Sequence, residues 1–249
     1  QYEAPHEQFV GDEPEQSADT LEPLANERYA AVLSELKSYT LTTDWPGNRV
    51  AADLATIATN LAWGLRGKGV DVMIVDTDPQ QTASEWAAHG EETPGVVVAG
   101  EASTLKDVRS LLDAEVVVID GAATVAELAL AAVKASDLVL VPVKPSGADL
   151  WAAQGMLDVL RQRRRVTGGQ PAGRFVVSAQ NPQTTLAKSV DTTLSGLDLP
   201  VLDARTCHRV AYQKALGAGT SVLELGDRKA ADEIRTLTLE VHRILHQEL

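Results

Sequence analysis

Two apolar runs in the sequence end in carboxylates: Ile74-Val75-Asp76-Thr77-Asp78-Pro79-Gln80 and Val118-Ile119-Asp120-Gly121-Ala122. An aspartate that closes a buried strand is costly to desolvate unless a cation or hydrogen-bond donors meet it. Asp120 therefore has two readings. As chemistry, it would hold the hydration shell of Mg²⁺ beside a bound nucleotide. As architecture, it would cap a helix starting near Thr124, or reach solvent from a strand end. The same choice applies to Asp76 and Asp78. Pro79 suits a first helical turn and Asp78 its N-cap, roles that need no catalysis.

Elements must position these residues. Short β-rich runs lie at Val70–Asp76, Gly95–Ala99, Glu115–Asp120, Asp137–Val143, Arg174–Ser178 and Leu199–Leu202, with a weaker one at Tyr39–Trp45. Helical spacing falls near 49–66, 79–89, 103–112, 124–135, 148–165, 183–195, 207–217 and 228–247, and an earlier stretch runs from Asn26 to Lys37. Near-continuous Val/Ile/Leu strands alternating with amphipathic helices predict a doubly wound α/β fold, with a mostly parallel sheet and helices on both faces. In such a sheet ligands sit beyond the carboxyl ends of the strands, where Asp76 and Asp120 stand.

Net charge is −13, yet residues 1–24 contain seven acidic side chains and no Lys or Arg. This segment, with Pro5, Pro14 and Pro23, reads as a flexible acidic arm over 1–25, leaving 26–249 as the α/β domain. Overall charge therefore does not exclude a basic patch on the domain. One cysteine, Cys207, excludes an internal disulfide framework and a multi-cysteine metal cluster. No apolar run reaches the roughly 18 residues of a membrane span, and no signal pattern opens the sequence, so a cytoplasmic location is expected.

Other residues carry weaker signals. Arg161, Arg163, Arg164 and Arg165, with Arg174 nearby, could contact DNA phosphates without sequence preference, or could simply complement a helix C-terminus. Arg205, His208, Arg209 and Lys214 form a second basic group. Cys207-His208 lacks partners for a metal or nucleophilic site and reads as structural, on a helix. His242 and His246 share a helix face without an acidic ligand set and are read as exposed. Trp63, Trp86 and Trp151 read as packing or dimer-contact residues.

The string Asp76-Thr77-Asp78-Pro79-Gln80 resembles the second conserved motif of ParA/MinD deviant Walker ATPases. Asp120 is similar to their Walker B carboxylate. Val141-Pro142-Val143-Lys144-Pro145-Ser146, Asp149-Leu150-Trp151, Arg209-Val210-Ala211-Tyr212 and Gly219-Thr220-Ser221-Val222-Leu223-Glu224 extend the resemblance across about Arg49 to Leu245, nearest the short, ParF-like branch. It implies Asp76 and Asp120 as catalytic residues, with Asp120 on Mg²⁺. It implies ATP contacts from Arg49, Thr56, Asp78, Gln80, Pro142, Pro145 and Ser146. Further implications are a homodimer, a ParB-like adaptor and nonspecific DNA as partners.

One departure falls where the family's chemistry resides. The hallmark KGGxGKTT aligns without gaps to Arg49-Val50-Ala51-Ala52-Asp53-Leu54-Ala55-Thr56. Only Arg49 and Thr56 preserve some of its chemistry. A phosphate nest needs glycines, and Val50 resists their backbone conformations. Asp53 brings negative charge, Leu54 replaces the second lysine, and Ala55 removes the hydroxyl expected on Mg²⁺. Near the base, Ser178 stands where relatives often carry Asn, with Asn181 close by. Two expectations follow: a positioning protein with a degraded nucleotide site that acts as scaffold or regulator, or an active ATPase whose diverged loop still binds Mg-ATP and drives dimerisation.

Overall fold

The computed structural model describes residues 39–42, 51–121, 126–247 and 249. Seven strands form one sheet: β1 (Tyr39–Thr42), β2 (Val72–Asp76), β3 (Gly95–Val98), β4 (Val116–Asp120), β5 (Leu138–Val143), β6 (Ala172–Gln180) and β7 (Val201–Cys207). Their order is β3-β2-β4-β1-β5-β6-β7, and every pairing is parallel. Parallel neighbours need crossovers, which here are helices. These are α1 (Ala51–Arg66), α2 (Thr82–His89), α3 (Ala102–Lys106), α4 (Val108–Leu111), α5 (Ala126–Ala135), α6 (Gly147–Thr167), α7 (Thr185–Leu194), α8 (Val210–Gly217) and α9 (Arg228–Gln247).

Period-two alternation sends successive strand residues to opposite faces. Ile74, Val118, Leu138 and Leu140 pack against Ile57, Leu61 and Leu65 of α1 and Ile234, Leu237 and Val241 of α9. On the other face Val139, Val141 and Val177 meet Met156, Leu157 and Leu160 of α6. Val75, Val117 and Ile119 meet Leu128 and Ala132 of α5 there. The predicted doubly wound α/β sheet is the observed fold.

Two glutamates of α9 bond the backbone of β7. Glu240 accepts hydrogen bonds from the Asp203 and Ala204 amides (3.0 and 2.9 Å), and Glu233 accepts one from the Cys207 amide (3.0 Å). The helix thus supplies acceptors to the edge strand β7, whose amides would otherwise invite another chain. Against α1, α9 approaches so closely that a Cβ on Gly64 would lie 2.2 Å from Thr238 Oγ1.

Some boundaries differ from the sequence expectation. The helix expected from residue 79 begins at Thr82, because Asp78-Pro79-Gln80-Gln81 form a turn closed by Gln81 N donating to Asp78 O (2.8 Å). Its N-cap is therefore Gln81 rather than Asp78. The strand expected at Leu199–Leu202 runs over Val201–Cys207, which moves the next helix start from 207 to Val210 and puts Cys207 on a strand. Asp203 and Arg205 sit on the partly solvated side of this edge strand, so its apolar signal is short. The expected 103–112 helix is broken at Asp107 into α3 and α4. The acidic arm, the 26–37 helix and the end of the Tyr39–Trp45 strand lie outside the described residues.

The α1–α9 approach generates a stability prediction. Gly64→Ala should destabilise the protein by about 1–3 kcal/mol through overpacking. Adding Thr238→Ala should recover part of that loss, a non-additivity measurable from urea midpoints at unchanged slope.

Candidate functional site

Asp76 and Asp120 are the last residues of adjacent strands and are register partners in the β2–β4 pair. Both are buried, at 0% and 1% exposure, which places two carboxylates side by side at the carboxyl edge of the sheet. Thr77 joins the two strand ends, its amide and its hydroxyl both donating to the Asp120 carbonyl (3.0 and 2.8 Å).

Donors from the chain itself meet the Asp76 carboxylate. Oδ1 accepts from the Asp78 amide (3.0 Å), and Oδ2 accepts from the Ser84 amide and hydroxyl (both 2.8 Å). Ser84 is the third residue of α2, and the Gln81 cap offers that helix no side-chain hydrogen bond. Asp76 therefore caps α2 from the neighbouring strand end, where a helix leaves unsatisfied N–H groups and partial positive charge. Asp78 is nearly as buried, and its Oδ1 accepts from the Gln80 amide (3.1 Å), which holds the turn. Sequence reasoning missed Ser84; the eight-residue offset from Asp76 shows itself only once the turn is placed.

The same sheet edge gathers further expected residues. Pro142 lies buried in β5, three residues past the last described β1 pairing at Val139, so its missing N–H costs no bond to the described part of β1. Ser146 is the N-cap of α6: its Oγ accepts from the Asp149 amide (3.1 Å) and donates to the Asp149 carboxylate. Pro145 precedes it, half-buried. At the end of β6, Ala179 holds a left-handed backbone (φ 45) and its amide donates to Thr206 Oγ1 (3.1 Å). Gln81 is the other non-glycine residue with positive φ among the described residues (φ 52). Such conformations are disfavoured for residues with a Cβ, and both border this edge.

Arg49 lies outside the described residues. Further along the same segment, Leu54 is 1% exposed, in the apolar cluster with Val139, Val141 and Val143, and Ala55 is fully buried. These are the positions where the resemblance places the phosphate-reaching lysine and the Mg²⁺-binding hydroxyl. A lysine ammonium could not occupy Leu54's surroundings without an uncompensated charge in a hydrocarbon environment. The described residues do not fit a conventional phosphate cradle at these two positions. Thr56 is half-buried, and its carbonyl accepts from Asn60 Nδ2 (2.8 Å). Asn60 Oδ1 in turn accepts from Ser221 Oγ and the Val222 amide (2.8 and 3.0 Å), tying α1 to the loop before α9.

The basic groups are more dispersed than the sequence implies. Arg161 is bound by Asp158 and Asp198. Arg164 Nε donates to the Gly169 carbonyl (3.0 Å). Arg165 is exposed and Arg163 half-exposed at the end of α6. In the second group, Arg205 pairs with Asp191, and Arg209 grips Glu233 through Nε and an Nη (2.9 and 2.7 Å). Glu233 also accepts from the Tyr212 hydroxyl (2.9 Å). Burial alone would raise Glu233, but Arg209, the Cys207 amide and Tyr212 outweigh it and hold the carboxyl below its ordinary value. Burial, and then Glu233, push the Cys207 thiol and the Tyr212 phenol up, so neither is primed as a nucleophile. His242 is half-buried rather than exposed, its ring centroid 4.3 Å from that of His246. No cluster of three or more potential metal ligands exists among the described residues.

The architecture defines a class: a doubly wound parallel sheet with paired acidic strand ends at its carboxyl edge. No family model matches the sequence. Individual proteins do. The chain is 31% identical over 195 residues to the maintenance of carboxysome distribution protein A (McdA) of Halothiobacillus neapolitanus, covering 75% of this chain and 89% of that one. Among solved structures, a Cyanothece McdA–ATP complex superposes with a TM-score of 0.65 at 13% identity, covering 82% of this chain and 96% of its own. The Pyrococcus horikoshii septum site-determining protein MinD, complexed with Mg-ADP, gives a TM-score of 0.66 at 15% identity, covering 85% and 99%. The chain belongs to the ParA/MinD family.

Two outcomes test this geometry. Asp76→Ala, measured by urea unfolding without nucleotide, should cost about 2 kcal/mol, since the first turn of α2 and the Asp78 amide lose their acceptor. Ser84→Ala, which keeps the amide bond, should cost about half of that. Because the folded-state value of Glu233 is depressed, its contribution is present above 4.5 and lost as pH falls through the lower folded value. Glu233→Gln should accordingly flatten the acid limb of the stability–pH curve below pH 4.5.

Proposed function

We propose that this chain is a ParA-type positioning protein, distributing a large cargo as its carboxysome-distributing relatives are named for doing, and that it acts as a scaffold or regulator rather than as a conventional ATPase. The observation that carries the second half is the burial of Leu54 and Ala55, which puts these two positions of α1 in the core. Asp76 and Asp120 then serve as structural ends of β2 and β4. Arg49, Thr56, Asp78, Gln80, Pro142, Pro145 and Ser146 keep the outline of a nucleotide site without its cradle. The partners we propose are a second copy of the chain, a ParB-like adaptor and nonspecific DNA. With Arg161 engaged by two aspartates, the DNA contact falls chiefly to Arg163 and Arg165, with Arg164 between them.

A second reading has its own support. Two buried carboxylates in register at the edge of a parallel sheet suit a hydrated Mg²⁺, so an active ATPase using Asp120 on the metal and Asp76 beside it is the competing proposal. The two differ in what nucleotide controls. On the scaffold reading, sedimentation equilibrium and DNA retention are the same with and without Mg-ATP. Charge reversal of Arg163 and Arg165 weakens DNA retention by about tenfold or more at low salt, through lost counterion release. Self-association or DNA binding that switches on only with Mg-ATP would instead establish the ATPase reading.

A further inference from the structure

A cavity of about 640 Å³ lies among the C-terminal ends of α1, α2 and α8, lined in part by Trp63, Arg66, His89, Glu91, Glu92 and Glu224. It is separate from the acidic strand ends. The 16 residues of α1 rise roughly 24 Å along its axis, and the cavity borders its last turn while Leu54 and Thr56 sit in its first turns.

Its wall is built at close quarters. Gly90, which follows α2, and Gly219, which follows α8, meet backbone to backbone: a Cβ on Gly90 would lie 2.1 Å from the Gly219 carbonyl oxygen. Gly219 also holds a left-handed backbone (φ +62). Trp86 anchors the seam, its indole N–H donating to the Thr220 carbonyl (2.8 Å). Trp63 stands edge-on to Trp86, centroids 6.0 Å apart at 71°, and its own N–H donates to Glu224 Oε1 (3.3 Å). An aromatic ring on the cavity wall is thus held by a carboxylate on the same wall.

The electrostatics favour one sign. Three helix C-termini bring partial negative charge to this place. Glu91, Glu92 and Glu224 add three negative charges against the single positive charge of Arg66, whose guanidinium is turned onto the Glu92 carbonyl, and His89 Nδ1 lies 2.7 Å from the Glu85 carbonyl. We propose that the cavity binds an organic cation, an alkylammonium or alkylguanidinium group, with its charge near Glu224 and the Trp63 ring and its stem along the Gly90–Gly219 seam. Aromatic rings beside carboxylates bind such groups through cation–π and ion-pair attraction together. The cation is either the side chain of a basic partner peptide or a free polyamine. The chain's own segment 1–24, without Lys or Arg, has the wrong charge for the role.

The test titrates the full chain with spermidine and, separately, with a pentalysine peptide, following tryptophan fluorescence and calorimetric heat. The comparison variants are Glu224→Gln and Glu91→Gln/Glu92→Gln, with Asp107→Asn/Asp113→Asn as a control for diffuse attraction to an acidic protein. Trp63→Phe, which keeps a ring but loses the N–H bond to Glu224, gives a second route should a glutamine variant fold poorly. The expected result is saturable binding, weakened at least tenfold by the cavity variants and less than twofold by the control. Tighter binding of the peptide marks a partner's side chain as the source, and tighter binding of spermidine marks a free amine. Equal weakening by cavity and control variants, or no saturable binding of either probe at millimolar concentration, would overturn the proposal.

Discussion

A carboxylate buried at the end of a strand must be met by something, and most of the site follows from how Asp76 is met. Its oxygens take the Asp78 amide and both donors of Ser84. One side chain thereby closes β2, shapes the turn through Asp78 and Pro79, and caps α2. Thr77 carries the constraint sideways by bonding the Asp120 carbonyl, so hydrogen bonds join two strand ends and a helix start. The positive φ at Gln81 is offset by these bonds.

From that unit α2 runs to the Gly90–Gly219 seam, and α1 runs beside it to the same cavity. α1 ties the molecule together in three places. Leu54 enters one apolar layer, Asn60 holds the loop before α9 through Ser221 and Val222, and Gly64 admits Thr238. From Leu54 to Gly64 the helix is held on both sides, so a shift of Leu54 toward a phosphate would disturb the core it joins. Leu54, at the position of the phosphate-reaching lysine, is itself one of the residues that join α1 to the sheet.

The alternation of Val/Ile/Leu runs with amphipathic stretches was enough to read the fold from sequence, because a parallel sheet covered on both faces has few other solutions. Asp76 and Asp120 were legible for the same reason, as charges that ended apolar runs. What the sequence hid were interactions set by distance in space. Ser84 meets Asp76 only after a turn that no helix-start signal marked, since Pro79 sits before the helix rather than in it. β7 was cut short because Asp203 and Arg205 face outward on an edge strand, and its partner carboxylates Glu233 and Glu240 lie some thirty residues on. The arginines of α6 read as a cluster in one dimension, whereas Asp198, brought in from beyond α7, takes one of them.

Leu54 and Ala55 belong to the apolar core where a phosphate cradle would need a lysine and a hydroxyl. Calorimetric titration of the full chain with Mg-ATP, alongside Asp120→Ala, tests this most directly. No saturable heat is expected at millimolar nucleotide in either protein. Saturable binding in the micromolar range that Asp120→Ala abolishes would contradict it, and would mean that the segment around Arg49 forms a cradle by other means.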